Sequence, residues 1–480
     1  MKTIYTKTVC SFLLALGLHA TVNAQRIACG GWHSAVICAD STVKCFGENA
    51  TGQLGNSDNT YTDSNVPVAA GTLTNIVAVS AGGDQLEAHT MALKADGTVW
   101  AWGSNLYGGL GNGSTNSTTA PVQSILLSNM VAISAGGWHS VALKSDSTVW
   151  TWGWNTDGQL GDGTTTDRTI AAQVPNLTGV VAIAAGTYHV LALKADGTVW
   201  AWGDNVKGQI GNGTVTTDLL APVQVSGLTD VVKIKSGRFF SLAVKSDSTV
   251  WTWGENLYGQ LGDGTTTDRY TPVQVPNLTG VTDVTCGAFE VHVTKSDNTV
   301  WAWGRNTYGN IGDNTLTHRS SPVQMLGIAD VAGMAAGTNF CIVYKTDGTL
   351  WGCGRNLSGQ LGDGSFTQHN VLTKSNGVCP IVTQPISGIN EADFFATVST
   401  FPNPSASGKF NVQFSDISFS YANTLLEVFD VVGKKIAQLN VVVSALNTTL
   451  SVDLADQANG IYFMTISADG QRISQKLIKQ

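Results

Sequence analysis

The chain has 480 residues, of which only 12% are charged and 54 are glycine. Its formal net charge is −8 and its longest basic run is Lys434-Lys435, whereas a nucleic-acid-binding protein usually presents a basic face. This composition disfavours DNA or RNA as a partner, and it favours many short strands and tight turns over long surface helices.

The first 24 residues have the pattern of an export signal. Lys2 and Lys7 form a basic start, Val9–Leu18 is a short apolar stretch, and Val22–Ala24 supplies the small residues that a signal peptidase reads. The apolar stretch is too short for a stable membrane span, and no later segment is continuously apolar. We therefore predict cleavage after residue 24, passage through the periplasm, and an exported mature protein without a transmembrane segment.

Seven copies of one unit follow. Each carries Trp-x-Trp-Gly or a variant of it, and the final glycine of this core lies at Gly47, Gly103, Gly153, Gly203, Gly254, Gly304 and Gly354. Strand-like units that recur about every 50 residues are typical of β-propellers and related arrays. The sequence thus predicts an all-β fold, with a seven-bladed propeller over residues 25–379.

Each unit contains four predicted strands. In the third unit they span 131–135, 139–144, 148–152 and 171–174, with a tight turn at 145–147 that is written Asp-Gly elsewhere, a strong hairpin signal. Two tryptophans that lie two residues apart share one face of the third strand. We interpret this set as blade core: Trp100, Trp102, Trp150, Trp152, Trp200, Trp202, Trp251, Trp253, Trp301, Trp303 and Trp351.

The unit resembles a known repeat. Its pattern Gly-x-x-His-Ser, then Asp-Gly-Thr-Val-Trp-x-Trp-Gly-x-Asn-x-x-Gly-Gln-Leu-Gly, is similar to the regulator of chromosome condensation repeat family over residues 26–379. The resemblance implies a seven-bladed propeller. The founding member exchanges nucleotide on a small nuclear GTPase, a role at odds with an export signal and an acidic balance. Secreted bacterial members include an inhibitor of β-lactamases, which implies a scaffold that serves as a protein-binding platform.

Seven cysteines remain after signal cleavage: Cys29, Cys38, Cys45, Cys286, Cys341, Cys353 and Cys379. An odd number leaves at least one free thiol in an exported protein, and we interpret most of them as small buried hydrophobic residues. Strands 26–30 and 371–374 should meet where the ring closes. Cys29 and Cys379 both lie near this seam, so they are candidates for a disulfide.

A search for chemistry finds no catalytic or phosphate-binding motif. His33, His89, His139 and His189 occupy one position of the repeat. They could form a metal-binding ring, but we favour structural histidines bonded to backbone. We therefore predict no cofactor, no metal and no enzymatic activity.

Three tryptophans, Trp32, Trp138 and Trp154, lie outside the core pattern. Alignment of the turns between the first and second strands places Trp32, Ala88, Trp138, Tyr188, Phe239, Phe289 and Asn339 at one position. The antiparallel strand directions bring Trp154 to the same end of the ring. Aromatic residues with arginine are typical of binding hot spots, but the position could equally fill the turn as a plug. The candidate ligand-binding residues are Trp32, Trp138, Trp154, Tyr188, Phe239 and Phe289.

The tail is a separate unit, with a predicted linker over 380–394 and a small β-sandwich over 395–480. It resembles the C-terminal sorting domain of the type IX secretion system of Bacteroidetes. The matching residues are Pro402, Asn403, Pro404, Gly433, Lys434, Gly460, Tyr462, Lys476 and Lys479. The resemblance implies the secretion machinery as a partner, and removal of the tail or its attachment at the surface; the alternative is an accessory sandwich without a sorting role.

Together these patterns predict an exported, monomeric bacterial propeller, secreted or held at the outer cell surface. It would recognise an extracellular protein or glycan through the aromatic-rich end of the ring. Two alternatives remain: a polysaccharide-degrading enzyme with its site at the same end, and a structural adhesion component.

Overall fold

The computed structural model describes residues 25–83, 87–215, 218–379, 397–401, 405–407, 409–415, 421–430, 434–443, 449–468 and 471–479. The predicted export signal, the linker, the box at 402–404 and Gly433 lie outside these ranges. The chain forms two compact units, of which the first ends at Pro385 and the second begins at Ile386. The finer domain bounds remain predictions.

The first unit consists of seven antiparallel four-stranded sheets, so the predicted all-β seven-bladed propeller is confirmed within the described residues. Blades one to three contain β1 Ile27–Cys29, β2 His33–Ile37, β3 Val43–Gly47, β4 Ser64–Ala69; β5 Ile76–Ala81, β6 His89–Lys94, β7 Val99–Gly103, β8 Thr118–Gln123; β9 Met130–Ala135, β10 His139–Lys144, β11 Val149–Gly153 and β12 Arg168–Gln173. Blades four and five contain β13 Val180–Ala185, β14 His189–Lys194, β15 Val199–Gly203, β16 Leu219–Gln224; β17 Val231–Ser236, β18 Phe240–Lys245, β19 Val250–Gly254 and β20 Arg269–Gln274. Blades six and seven contain β21 Val281–Cys286, β22 Glu290–Lys295, β23 Val300–Gly304, β24 Arg319–Gln324; β25 Val331–Ala336, β26 Phe340–Lys345, β27 Leu350–Gly354 and β28 His369–Lys374.

The fourth strand starts earlier than the sequence pattern suggests. In blade three it begins at Arg168 rather than at residue 171, because Gly153 pairs with Arg168 across a register shift that follows Thr151. The shift lets the strand continue past the point where the regular ladder ends. It therefore shortens the loop between the third and fourth strands.

The ring closes between blades seven and one. The first strand of each blade contacts the first strands of its neighbours, and β1 contacts both β5 and β25. A disulfide joins Cys38 to Cys379 with a Cα–Cα distance of 5.5 Å. The suggested pairing of Cys29 with Cys379 is thus wrong: Cys29 lies on the inner strand, where its Sγ is 3.6 Å from the Ala335 carbonyl oxygen, whereas Cys38 follows β2.

The paired tryptophans have two different roles. The second of each pair is fully buried, and Trp152 for example donates its indole N–H to the Gly109 carbonyl of the preceding blade at 2.8 Å. The first is only half-buried; Trp150 bonds Thr148 Oγ1 at 3.2 Å and lies 5.6 Å beneath the Lys144 ammonium group. The interpretation as buried core therefore holds for the second of each pair. The first lies at the edge of the core beside the exposed hairpin, where Trp100, Trp200, Trp251 and Trp301 are half-buried and pack against the core residues.

The turn after the third strand is fixed by one buried asparagine. In blade three, Asn155 Oδ1 accepts the Leu160 N–H at 2.8 Å, and its amide donates to the Thr164 and Thr166 carbonyls. Leu160 is completely buried. Asparagine replaces missing backbone partners in such turns, so this segment supports the loop above it.

The second unit contains two antiparallel sheets. Their strands are β29 Thr397–Phe401, β30 Lys409–Ser415, β31 Tyr421–Asp430, β32 Lys435–Val443, β33 Thr449–Asp453, β34 Gly460–Ala468 and β35 Gln471–Lys479. One sheet has the order β29-β30-β33 and the other β32-β31-β34-β35; their packing as a sandwich stays a prediction. In the described part of the chain, we find no helix with the length and apolarity that a membrane crossing needs.

Candidate functional site

One end of the propeller is built from two positions that recur in every blade. The first lies in the turn between the first and second strands, at Trp32, Ala88, Trp138, Tyr188, Phe239, Phe289 and Asn339. The second follows the glycine that ends the third strand, at Glu48, Ser104, Trp154, Asp204, Glu255, Arg305 and Arg355. In each blade the backbone N–H of the second position donates to the carbonyl of the first at 2.8–3.1 Å. We call these fourteen residues the rim.

Five aromatic rings form a contiguous cluster on the rim and the adjoining loop. The ring centroids of Trp138 and Trp154 are 5.1 Å apart, and both rings contact Tyr188 at 5.8 and 5.9 Å. Tyr107 contacts the two tryptophans from blade two, and Tyr188 stacks on Phe239 at 4.8 Å. All five are half-buried. Each ring therefore packs against its neighbours and still exposes part of its surface to solvent.

Arginines extend this cluster towards blade six. The Arg238 guanidinium lies 5.3 Å from the Phe239 ring centroid and 5.7 Å from that of Phe289. The Arg305 guanidinium lies 5.0 Å from the Tyr258 centroid and 5.3 Å from that of Phe289. Such cation–π contacts contribute about 0.5–1 kcal/mol at exposed sites. Each guanidinium group is thus held in place by at least two aromatic side chains.

A second arginine–aromatic pair lies at the seam. The Arg355 guanidinium is 3.8 Å from the Trp32 ring centroid, and its Nη1 is buried without a hydrogen-bond partner in the described ranges. Glu48 lies nearby; burial first, and then the charge of Asp63, raise the pKa of its carboxyl to about 7. The positive and negative members of the rim are therefore adjacent here.

Carboxylates gather on the rim and loops of blades three to five. Burial raises the pKa of Asp204 to about 6, and the neighbouring charges of Asp157 and Asp218 add to the shift. The pKa of Asp157 is also raised, first by burial and then by Asp218. Burial likewise raises the pKa of Glu255. This sector is acidic, in contrast to the arginines of blades six and seven.

A histidine, a tyrosine and an arginine converge at blade six. The rings of Tyr258 and His318 are 5.2 Å apart, and Arg305 covers the tyrosine. His318 Nδ1 accepts the Asn306 backbone N–H at 3.0 Å. Burial, together with the Arg305 charge, lowers the pKa of His318. The imidazole is therefore neutral near pH 7 and carries its proton on Nε2.

The four equivalent histidines are structural. His33, His89 and His189 each place Nε2 2.8–2.9 Å from a hydroxyl of the next blade. Each hydroxyl donates in turn to a backbone carbonyl, so the histidine must donate from Nε2. The prediction that these histidines bond to backbone is therefore wrong, because their partners are side-chain hydroxyl groups. For His139 the equivalent position of the next blade is Val190, which has no hydroxyl, and both ring nitrogens of His139 are buried without a partner among the described residues.

Burial lowers the pKa of these histidines to about 3 for His33, His139 and His189 and to about 4 for His89. They are therefore uncharged at neutral pH. In the described parts of the chain, no group of three His, Cys, Asp or Glu side chains is arranged to hold a metal ion.

The structure groups the predicted rim residues unevenly. Trp138, Trp154, Tyr188 and Phe239 lie together, while Trp32 lies apart beneath Arg355. Phe289 is only 8% exposed, and the guanidinium groups of Arg238 and Arg305 pack on its ring. Sequence reasoning missed most of the second rim position, although its residue changes in almost every repeat. That variability within an otherwise constant turn was the available signal.

The sorting-motif residues that are described lie on the sheet β32-β31-β34-β35 or beside it. Lys434 donates its backbone N–H to Asp430 Oδ1 at 2.9 Å, and the Tyr462 hydroxyl donates to the Ala458 carbonyl at 2.6 Å. Gly460 pairs with Lys479 and Lys476 lies on β35. The Lys479 ammonium group donates to the carbonyls of Ala455 and Gln457. Lys479 thus ties the end of β35 to the segment that connects β33 with β34.

Comparison with known families agrees with these features. The RCC1-like domain matches residues 88–389, and the regulator of chromosome condensation (RCC1) repeat matches residues 25–53 and 42–93. The secretion system C-terminal sorting domain matches residues 399–480. Both resemblances of the sequence are confirmed.

Curated relatives share short stretches only. The chain is 34% identical over 102 residues to the ultraviolet-B receptor UVR8 of Arabidopsis thaliana, which covers 21% of this chain and 22% of the receptor. It is 31% identical over 105 residues to the human E3 ubiquitin-protein ligase HERC2, covering 22% of this chain and 2% of the ligase. The chain thus spans less than a quarter of these relatives.

Solved structures share the fold. Yeast RCC1 (Prp20) bound to Kap60 superposes with a TM-score of 0.63 at 21% identity, covering 75% of this chain and 86% of that one. Human WBSCR16 superposes with a TM-score of 0.60 at 22% identity, covering 66% and 86%. The chain forms seven blades of this kind and matches the RCC1-like domain over residues 88–389, more than half of its 480 residues, so it belongs to the RCC1-like domain family.

Proposed function

We propose that this protein is an exported binding module that recognises an extracellular protein or glycan through the rim. The observation that carries the proposal is the contiguous cluster of rings and guanidinium groups from Tyr107 to Arg305. Tryptophan, tyrosine and arginine are the residues most enriched in binding hot spots. Clustered aromatic surface of this kind usually marks an interaction site.

The packing of the rings supports this role. Trp154 is held edge-on by Trp138 and flanked by Tyr188, so little side-chain entropy remains to be lost on binding. The cluster is bordered by arginines on one side and carboxylates on the other. A ligand with complementary charges would be oriented by this border.

A matched pair of substitutions in blade three tests the proposal. Trp154→Ala should weaken binding by about 2 kcal/mol, or roughly 30-fold in Kd. Trp150→Ala removes a half-buried tryptophan at the opposite end of the same blade, and it should leave Kd unchanged. A glycan array and a pull-down from culture supernatant would supply the ligand. Equal losses in both variants, or no loss in Trp154→Ala with the fold intact, would contradict the proposal.

Delivery by type IX secretion belongs to the same proposal. The match to a secretion system sorting domain over residues 399–480 supports it. Deletion of residues 395–480 should leave a folded propeller inside the cell envelope, because the sorting signal would be missing. The location is measured by fractionation and immunoblotting; normal release of the truncated protein would refute the sorting role.

An extracellular polysaccharide-degrading enzyme is the second candidate, favoured by the cluster of Tyr258, His318 and Arg305. Arg305 would pair with the carboxylate of a uronic acid, which makes the C5 proton of that sugar easier to remove. The Tyr258 oxygen would take this proton and return it to the bridging oxygen as its bond to C4 breaks, which leaves a double bond between C4 and C5. His318 could only donate, because its Nδ1 lone pair is engaged by Asn306.

This candidate is tested by incubation with uronate polymers, in which chain cleavage by elimination yields an absorbing unsaturated product. Activity that is lost in Tyr258→Phe and retained in Arg319→Gln would establish the enzyme. Arg319 is a suitable control, since it is paired with Asp313 at 2.6 Å on the adjacent loop. If no polymer yields this product, the enzyme candidate is rejected and the binding module remains the proposed function.

A further inference from the structure

A glutamine recurs in the turn after the third strand. In blades one and five it is Gln53 and Gln260, and the side-chain oxygen of each accepts the backbone N–H two residues earlier at 2.8 Å. This bond orients the amide so that its nitrogen faces the rim. There Nε2 donates to Glu48 Oε2 at 3.2 Å in blade one and to Glu255 Oε2 at 3.1 Å in blade five. A rim glutamate of the same blade thus satisfies each of these glutamines.

Blade seven keeps the glutamine but lacks the glutamate. Gln360 Oε1 accepts the Ser358 backbone N–H at 3.0 Å, so its amide has the same orientation. The rim residue of this blade is Arg355, whose side chain offers no acceptor. Gln360 is completely buried, and its Nε2 has no hydrogen-bond partner in the described part of the chain. A buried donor without a partner is costly, and this one is aimed at the place where blades one and five hold a carboxylate oxygen.

Arg355 brings a second donor to this place. Its guanidinium lies 3.8 Å from the Trp32 ring centroid, and its Nη1 is buried without a hydrogen-bond partner among the described residues. Gln360 packs against the backbone of the same tryptophan: a Cβ added at Gly47 would lie 2.5 Å from the Trp32 carbonyl oxygen and 3.2 Å from Gln360 Cα. Arg355 and Gln360 therefore both lie against Trp32, and each carries a buried N–H group that is not satisfied.

Two carboxylates of blade one lie near Arg355 but are engaged elsewhere. Glu48 Oε2 accepts the amide of the glutamine in its own blade, and Asp63 Oδ1 accepts the Asn49 backbone N–H at 2.9 Å. Burial lowers the pKa of Arg355, whereas the Tyr308 hydroxyl and these two carboxylates raise it. Their charges limit what can bind beside them, because a dianion such as phosphate is repelled more strongly than a monoanion.

We propose that the rim at the seam is a carboxylate-binding site, in which Gln360 Nε2 and Arg355 Nη1 donate to the anion beside Trp32. The bound carboxylate takes the place of the glutamate that blades one and five supply from their own chain. Hydrogen bonds from a guanidinium group to a carboxylate are among the stronger ones in proteins. The anion is a small free carboxylate or an aspartate or glutamate side chain on a bound protein. The second source rests on the proposed function, whereas the first does not.

Acetate, titrated into the full mature chain and followed by saturation-transfer NMR, is the probe for the free anion. Arg355→Met should weaken its binding at least about tenfold, which corresponds to about 1.4 kcal/mol. Gln360→Glu keeps the acceptor for the Ser358 N–H but presents an oxygen to the site instead of a donor, so it should abolish binding. Arg319→Met removes an equal charge from a loop of blade six, where Asp313 pairs with it at 2.6 Å, and should have no effect. Urea unfolding checks that each variant is folded.

The outcomes separate this inference from the proposed function. Absence of acetate binding, equal losses in Arg355→Met and Arg319→Met, or unchanged binding in Gln360→Glu would overturn the site; if Arg355→Met does not fold, Gln360→Glu decides. Trp154→Ala should leave acetate binding unchanged even if it abolishes ligand binding at the aromatic cluster. Glutamate with both of its backbone ends blocked identifies the source: tighter binding than acetate with the same dependence on Arg355 assigns the carboxylate to a protein side chain, and weaker binding assigns it to a free anion.

Discussion

Replacement of Val190 by threonine should stabilise the propeller. In blades one, two and four, a histidine donates to a hydroxyl of the next blade, which donates to a backbone carbonyl. His139 is the exception, because Val190 occupies the hydroxyl position. Threonine has nearly the volume of valine, and Thr90 already serves this role for His33. The carbonyl of Gln159, which accepts the Trp202 indole N–H at 2.8 Å, lies where the new hydroxyl must donate.

The magnitude follows from the hydrogen bonds gained. An unsatisfied buried polar group costs about 1–3 kcal/mol, and an added hydrogen bond contributes about 1 kcal/mol net. Burial of the new hydroxyl costs about 1–3 kcal/mol in lost hydration. The hydrogen bond that this hydroxyl donates to the Gln159 carbonyl offsets most of this cost. We expect a net gain of about 1 kcal/mol, seen as a higher urea midpoint at unchanged m-value.

Val291→Thr is the matched control. It introduces the same hydroxyl at the same repeat position, but there the facing residue is Phe240, which cannot donate. The Gln260 carbonyl, which accepts the Trp303 indole N–H at 3.0 Å, gives the new hydroxyl the same acceptor, but no histidine gains a partner. The change should therefore bring no gain in stability and should cost up to about 1 kcal/mol. Equal destabilisation by both substitutions would refute the reasoning, since it would mean that His139 gains nothing from the hydroxyl.

Three further changes should alter stability as measured by urea unfolding. Trp152→Ala should cost about 3–5 kcal/mol as a large-to-small core substitution, and Trp150→Ala should cost less because its ring is half-exposed; equal costs would contradict the two roles. Cys38→Ser opens a cross-link between residues 341 apart in sequence and should cost about 2–5 kcal/mol; a midpoint equal to that of the native protein would show that the seam holds without it. Burial lowers the pKa of five histidines from 6.5 to about 3–4, so each is neutral in the folded protein where the unfolded chain binds a proton. The free energy of unfolding should therefore fall by about 1.4 kcal/mol per histidine and pH unit as the pH drops from 6.5 towards 4. Glu290 has the opposite sign: burial raises its pKa from 4.5 to about 8, so its contribution is lost as pH rises through that window; a flat profile from pH 4 to 8 would contradict both.

The repeat predicts the fold because its constraints are local and occur seven times. The tight hairpins, the turn asparagine and the buried second tryptophan each act within one blade or between neighbours. Contacts over longer distances were less accessible. The pairing of Cys38 with Cys379 depends on where the two ends of the ring meet in space, and spacing alone does not distinguish Cys29 from Cys38. The half-exposure of Trp150 depends on its depth in the blade, which strand periodicity does not report.

The candidate site was only partly accessible from the sequence. Subtraction of the core pattern identified Trp138 and Trp154, and strand direction placed them at the same end, as observed. Arg238 was missed because it precedes the aligned rim position. Its contacts with Tyr188, Phe239 and Phe289 arise only because blades four, five and six lie side by side in the closed ring. Residues from different blades meet by closure of the ring, and no short-range pattern encodes that.

Closure also places the rim around a central channel, which is lined by the first strands of the seven blades and the turns that follow them. The end of β17 carries Lys235 and Ser236 on the channel wall, and the turn that follows carries Arg238 at the channel mouth and Phe239 on the rim. Blade five thus contributes to the channel wall and to the rim within five residues. In the other blades the matching channel positions are mostly small and uncharged. Arg238 borders the mouth and also contacts Phe239 and Phe289, so a substitution at this one residue would alter the mouth of the channel and the rim together.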